Sequence, residues 1–338
     1  MKISRRHALA ASGLAALALA GCGGSSDDGA SGSGASDGGS NGASAGTFPA
    51  TVTTEFGDVT IEEAPARVVA LGWGDAEIAL ALGVQPVGAS DWLDFGGNGQ
   101  GPWAADLYDE DPTLIDTLEP SFEAIAALEP DLILDVRGSG DQDRHDRLAE
   151  IATTVGIPPG GANWLTKMED HVALISGAFG IPEAGDELLA KVDAAYEDVA
   201  EAHPEWDGRT VTAAARTSEG WGAYIEGGGR LETLARFGFV QNPTIAELPA
   251  DDGGFSADIS SENLDQLEAD LIVAFPIYLE PSVITDDAQW KNLEAVKDGR
   301  AVVLDGDVSN AFSASTPLAS IYAVDQLTPL FEEALPAE

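Results

Sequence analysis

The chain has 338 residues, and its 58 Asp and Glu against 16 Lys and Arg give a net charge of −42. So acidic a protein repels phosphate backbones, which argues against nucleic acid as a partner, and gains little from attraction to anionic lipid. A hydrophobic fraction of 44% is ordinary for a globular protein, so the acidity reads as a solvated surface over real cores.

Lys2 and Arg5-Arg6 open the chain, and an uncharged apolar stretch runs from Ala8 to Ala20. A basic start, a short apolar run and small residues after it make a secretory signal, expected over residues 1–21. At about 1.5 Å per residue the apolar run is roughly 20 Å long, too short for a bilayer core of about 30 Å. Its end, Leu19-Ala20-Gly21-Cys22, is similar to a bacterial lipobox, which implies cleavage before Cys22 and lipidation of that thiol. Cys22 is the one cysteine of the sequence, so a structural disulfide within the chain is excluded. Ser4-Arg5-Arg6-His7-Ala8-Leu9 resembles a twin-arginine signal, with Ala8 where Phe is usual, so the twin-arginine and general secretory routes both stay open. The expected location is extracytoplasmic, tied to the cell membrane as a lipoprotein through acyl chains.

Residues 22–47 carry the anchor and a tether of Gly, Ser, Ala, Asp and Asn. Such a segment cannot bury enough apolar surface to offset the entropy of ordering it, and its root-mean-square span is roughly 25–30 Å. Two G-x-S-x-G matches, Gly34 to Gly38 and Gly42 to Gly46, fall here. Neither has the strand-turn-helix setting that a nucleophilic serine needs.

Beyond the tether, Arg67 to Leu71 reads as a strand, followed by a helix near Asp75 to Leu82. A repeat comes next. Residues 123–133 and 262–272 share the pattern E-x-[I/L]-x-x-L-E-x-D-L-I. Ile125 and Leu128, like Leu264 and Leu267, are spaced as on a helix; a break follows, then the apolar runs Leu132 to Leu134 and Leu271 to Ala274. Each copy therefore predicts helix, tight turn, buried strand. Between the copies, Glu183 to His203 reads as one long helix, with Leu188, Leu189, Val192, Ala195, Tyr196 and Val199 at a 3.6 period. Thr210 to Ala215 predicts another strand, followed after a Gly-rich loop by a helix near Leu231 to Phe237. Alternating strands and helices, duplicated, predict two similar α/β lobes with mainly parallel sheets, joined by one long rigid helix, with a ligand cleft between them. The expected divisions are an N-terminal lobe at 48–180, the bridging helix at 181–205 and a C-terminal lobe at 206–338.

These residues resemble a known family, the substrate-binding proteins of ABC importers for ferric siderophores, cobalamin and haem (periplasmic binding proteins of class III). The resemblance is carried by Pro65 to Leu71, Ala81 to Gly88, Pro120-Ser121-Phe122-Glu123 through Ile133, Ile259-Ser260-Ser261-Glu262, and Trp290 to Arg300. It extends over nearly all of residues 55–335. It implies a monomer that binds an iron chelate and delivers it to an ABC permease dimer. It also implies that Glu123 and Glu262, one per lobe, dock onto permease arginines. Compensation of the helix dipole is the plainer role for both, at about 0.3–1 kcal/mol each.

Ligands of parallel sheets bind beyond the carboxyl ends of the strands. Those positions carry Trp73, Asp91 and Trp92, and Arg137 in the first lobe. In the second they carry Arg216, Trp221, Tyr224, Phe275, Tyr278 and Phe312. The aromatics and arginines among them are the expected ligand-binding residues: aromatic walls bury apolar linkers of a chelate, while arginine donors meet its oxygens. Trp206 and Trp290 read as framework, and Trp103 and Trp164 fit either role. His145, His171 and His203 lie in or beside helical stretches without metal-ligand spacing, and His7 is in the signal. The siderophore, rather than the protein, is therefore expected to hold the iron, with no separate cofactor. The field of the whole chain disfavours highly anionic chelates, so neutral or cationic ferric hydroxamates are expected over tris-catecholates. Cobalamin or haem is the alternative ligand. A secreted hydrolase is the alternative of a different class, without a nucleophile elbow or a histidine at a strand end.

Overall fold

Residues 46–161, 163–225, 228–251 and 254–336 are described by the computed structural model. Strands β1 (Ala50–Thr54) and β2 (Gly57–Ile61) form an antiparallel hairpin, turned at Gly57 with φ +111°. Val52 and Ile61 point from it into the core.

The first lobe is built on β3 (Val68–Ala70), β4 (Gly88–Ser90), β5 (Thr113–Ile115), β6 (Leu132–Leu134) and β7 (Thr153–Val155). These pair in the order β5-β4-β3-β6-β7, all parallel. Val68, Ala70, Leu132 and Leu134 face one core, while Val69 and Ile133 face another. A sheet covered on both faces needs such unbroken apolar runs, since successive residues point to opposite sides. Helices α1 (Asp75–Ala81), α2 (Phe122–Ala127), α3 (Gln142–Ala149) and α4 (Met168–Ala178) complete the lobe.

Helix α5 (Pro182–Ala202) follows, 21 residues or about 30 Å long. Its first half puts Leu188 into the first lobe's core, and its second half puts Val192 and Tyr196 into the other's. Trp206, fully buried, packs beside the latter and stacks on His203 at 3.9 Å.

The second lobe holds β8 (Thr210–Arg216), β9 (Trp221–Tyr224), β10 (Val240–Gln241), β11 (Ser256–Ile259), β12 (Leu271–Pro276) and β13 (Ala301–Val303). The order is β11-β9-β8-β12-β13, with β10 beside the start of β8. Strands β8, β12 and β13 run parallel, whereas β9 is antiparallel to β8 and β11 antiparallel to β9. Helix α6 (Gly229–Arg236) enters from the cleft side, and the last helix, Pro317–Ala334, packs back on α5.

The repeat has a visible purpose. In the first copy Asp131 accepts from the backbone N–H groups of Ala66 (2.8 Å) and Arg67 (2.9 Å), pinning the entry to β3. In the second, Asp270 accepts from the N–H and hydroxyl of Thr210, both at 2.8 Å, pinning the entry to β8. The helices differ: α2 is α-helical with Ser121 as its cap, whereas Ser261–Leu267 is a 3-10 turn broken at Asn263.

Candidate functional site

A cavity of about 370 Å³ opens where the carboxyl ends of the two sheets meet. Its first-lobe wall is built by Asp75. This buried carboxylate accepts from the N–H of Gly72 (3.0 Å), Val136 (3.0 Å) and Arg137 (3.3 Å), so it ties the turn after β3 to the turn after β6. The N–H of Trp73 donates to the carbonyl of Arg137 at 3.0 Å. His171 Nε2 lies 2.6 Å from Asp75 Oδ1 and fixes the carboxylate from below. Trp73 and Arg137 are thus presented together as one unit.

Trp73 is the middle ring of a three-indole stack. Trp92 lies 4.3 Å away at 5°, and Trp164 4.5 Å away at 21°. Arg144 backs Trp164, its guanidinium 5.7 Å from the ring, and is held by Asp135 through bonds of 3.0 and 2.8 Å. Across the cavity stand Tyr224, Phe255 and Phe275 of the second lobe. Leu118 and Tyr278 sit at the mouth from opposite lobes, 65% and 86% exposed.

Two guanidiniums face this space. Arg137 donates through Nε to Trp164 O (3.2 Å) and through Nη1 to Ala314 O (2.7 Å). Burial, then the neighbouring charge of Arg230, pulls its pKa down to about 10, against the opposing pull of Asp75, Glu232 and Glu77. Arg230, on the first turn of α6, lies over Tyr224 at 4.5 Å and Phe275 at 5.1 Å. Burial lowers its pKa too, and its Nε is buried without a partner. The arginine ion pairs among the described residues involve Arg144, Arg236 and Arg300, not these two. No Asp, Glu, His or Cys is among the described residues that line the cavity.

Of the residues expected from sequence, Trp73, Trp92, Arg137, Tyr224, Phe275 and Tyr278 line the cavity. Three do not. Trp221 lies on strand β9 rather than a loop, and strand alternation turns it away from the Tyr224 face to stack on Trp290 at 5.6 Å. Arg216 caps that same side, 5.9 Å over the Trp221 ring, with its Nη1 donating to Thr217 O. Phe312 lies in the helix Gly306–Ala314, fully buried behind Phe275. Ser309, Asn310 and Ser313 occupy the cavity face of that helix instead. Trp164, which fitted either role, belongs to the wall, whereas Trp103 donates to Glu77 Oε2 at 2.7 Å beneath it. Arg230 and Phe255 went unforeseen. The signal for Arg230 was the glycine pair Gly228-Gly229 at the start of a helix, at the end of a strand-to-helix turn.

Glu123 and Glu262 are exposed in the first turns of their helices, on the two lobes. The signal segment, Cys22 and the tether up to residue 45 lie outside the described residues.

A family model described as periplasmic binding protein matches residues 68–308. Among curated relatives, "Probable siderophore-binding lipoprotein YfiY" of Bacillus subtilis is 28% identical over 282 residues, 79% of this chain and 82% of that protein. A periplasmic solute binding protein from Mycobacterium smegmatis has a solved structure that superposes with a TM-score of 0.74 at 27% identity, covering 85% of this chain and 98% of that one. PiaA of Streptococcus pneumoniae, solved in complex with ferrichrome, gives 0.71 at 25% identity, over 84% of this chain and 98% of its own. With its two sheets meeting at an aromatic cleft and the family match spanning most of both lobes, this chain belongs to the periplasmic binding protein family.

Proposed function

We propose that the protein is an extracytoplasmic substrate-binding lipoprotein that captures a ferric siderophore, with hydroxamates as the leading class, and delivers it to an ABC permease. The observation that carries this reading is the make-up of the cavity: stacked and facing aromatics, two arginines without an ion pair among the described residues, and no Asp, Glu, His or Cys among the described lining residues. Such walls suit a chelate whose linkers are apolar and whose oxygens already surround the metal. A siderophore-binding relative and a ferrichrome-bound structural neighbour support the ligand class. The net charge of −42 supports chelates of low negative charge. In this reading Cys22 carries the lipid anchor, and Glu123 and Glu262 contact the permease.

Titration of the tryptophan fluorescence with ferric chelates tests it, because three indoles line the cavity. Saturable quenching by ferrichrome is expected, with a weaker response to a trianionic tris-catecholate. Binding of haem or cobalamin with no response to any ferric chelate would replace the ligand class. Tight binding of the catecholate with none of any hydroxamate would overturn the hydroxamate preference.

A further inference from the structure

Arg137, Leu165 and Gly229 border two cavities, the aromatic cleft and a second space that is also about 370 Å³. No tryptophan or phenylalanine is among the described residues lining the second one. The starts of two helices meet there: Thr166 to Glu169 lead into α4, and Gly229 opens α6. Neither start has a side-chain cap, and each is the positive end of a helix dipole. Lys167 stands at the N-cap of α4, where helices favour Ser, Thr, Asp or Asn. It adds a cation where the dipole is already positive. Among the described residues neither Lys167 nor Arg137 forms an ion pair.

Tyr196 of α5 and Ser320 of the last helix line the same cavity and are 3% and 2% exposed. Both hydroxyl oxygens are buried without a hydrogen bond; the Thr233 and Ser320 hydroxyls stand close to the phenol without completing one. Burial pushes the Tyr196 pKa up, so the phenol stays protonated and able to donate. Two acids also belong to the lining. Glu169 and Glu232 lie in the first turns of α4 and α6, and both are exposed. They oppose a simple anion at this place and favour a cationic group beside it.

We propose that this cavity is a second ligand site, separate from the chelate cleft, for a small zwitterion carrying a carboxylate and a cationic nitrogen. The carboxylate meets the two helix starts, Arg137, Lys167 and the hydroxyls of Tyr196 and Ser320. The nitrogen meets Glu169 and Glu232. A space of about 370 Å³ has room for a free amino acid or a betaine together with bound water. Such a ligand has no net charge, so the field of a chain at −42 does not oppose its approach.

Calorimetric titration of the full protein with the standard L-amino acids and glycine betaine, in a buffer free of carboxylates and other zwitterions, tests the inference. At least one should bind saturably, and at least about tenfold more tightly than acetate or ethylamine, which each carry half of the pattern. Binding of an amino acid but not of betaine, or the reverse, supports the site and identifies the nitrogen as ammonium or quaternary. Tyr196→Phe removes one donor and should weaken the zwitterion about tenfold or more. Glu169→Gln with Glu232→Gln should weaken it about threefold or more while acetate binds no worse. If the Tyr196 variant does not fold, the exposed pair decides. Saturation with ferrichrome should leave the zwitterion affinity within about threefold. No saturable binding of any zwitterion, equal binding of acetate, unchanged affinity in either variant, or displacement by ferrichrome would each overturn the inference. The direct titration needs no chelate, so a protein that binds no ferric chelate counts against the proposed function and not against this site.

Discussion

Single side chains decide what this cleft is. Asp75 holds two strand-end turns in register, and Glu77 does the same between lobes. The Glu77 carboxylate accepts from Trp103 Nε1, from the Thr316 hydroxyl (2.6 Å), and from the N–H groups of Leu318 (3.0 Å) and Ala319 (3.3 Å). It therefore caps the last helix from across the cleft, although burial still pushes its pKa up. A different residue adds a contribution to stability that depends on pH. His145 stacks on Phe56 at 3.8 Å with Nδ1 buried and unpartnered, and burial lowers its pKa against the opposing charge of Asp146. The unfolded chain thus takes up the proton first. The His145 contribution falls as pH drops below about 6.5 and levels off beneath the lowered folded value. His145→Phe keeps the stack and removes the titration. Chemical denaturation between pH 7.5 and about 5 should show the wild type losing stability relative to the variant as pH falls. Parallel pH profiles for the two proteins would exclude His145 as the source.

Elements explain which parts of the site were legible in the sequence. Buried strands announce themselves as apolar runs, and residues just past them, such as Trp73 and Arg137, inherit a known direction. The repeat located β6 and β12 for the same reason. Trp221 misled because a four-residue strand with an internal glycine carries too little alternation to reveal its face. Phe312 misled because its helix begins at Gly306, one residue after Asp305, so that helical rather than loop geometry sets its direction. The parallel order of the first lobe followed from strand and helix alternation, while β9 came from a segment that read as a Gly-rich loop and β11 from one without an assigned element. The tightest element is the turn between β3 and α1. Gly74 has φ +86°, and a Cβ there would come within 2.2 Å of Thr316 Cγ2. Gly74→Ala should cost about 2–4 kcal/mol, a fall in melting temperature of roughly 5–10 °C. Because Trp73 adjoins it, chelate affinity should weaken as well. A variant with wild-type melting and affinity would show that the lobes yield at this joint.

The whole molecule joins two charge regimes on one rigid frame. Helix α5 belongs to both cores, so the lobes share a stiff element rather than a flexible hinge. Around them lies a surface that makes the chain −42, while inside the cleft two guanidiniums have no ion pair among the described residues. Screening limits the outer field to about 8 Å at physiological salt, so a ligand meets the local arginines only at close range. Exposed acids face solvent around the two lobes. Among them, Glu123 and Glu262 hold equivalent places at the starts of duplicated helical segments, one on each lobe, as a two-fold permease dimer would require. Glu123→Ala with Glu262→Ala should abolish uptake of the ferric chelate by cells. Chelate affinity should stay at the wild-type value, since neither residue lines the cavity. Melting should move little, because both side chains are exposed and a helix-dipole contribution is only about 0.3–1 kcal/mol each. Uptake assays beside calorimetry on the purified double variant separate the two roles. Normal uptake by a folded, ligand-binding double variant would remove the docking assignment and leave the glutamates as dipole partners.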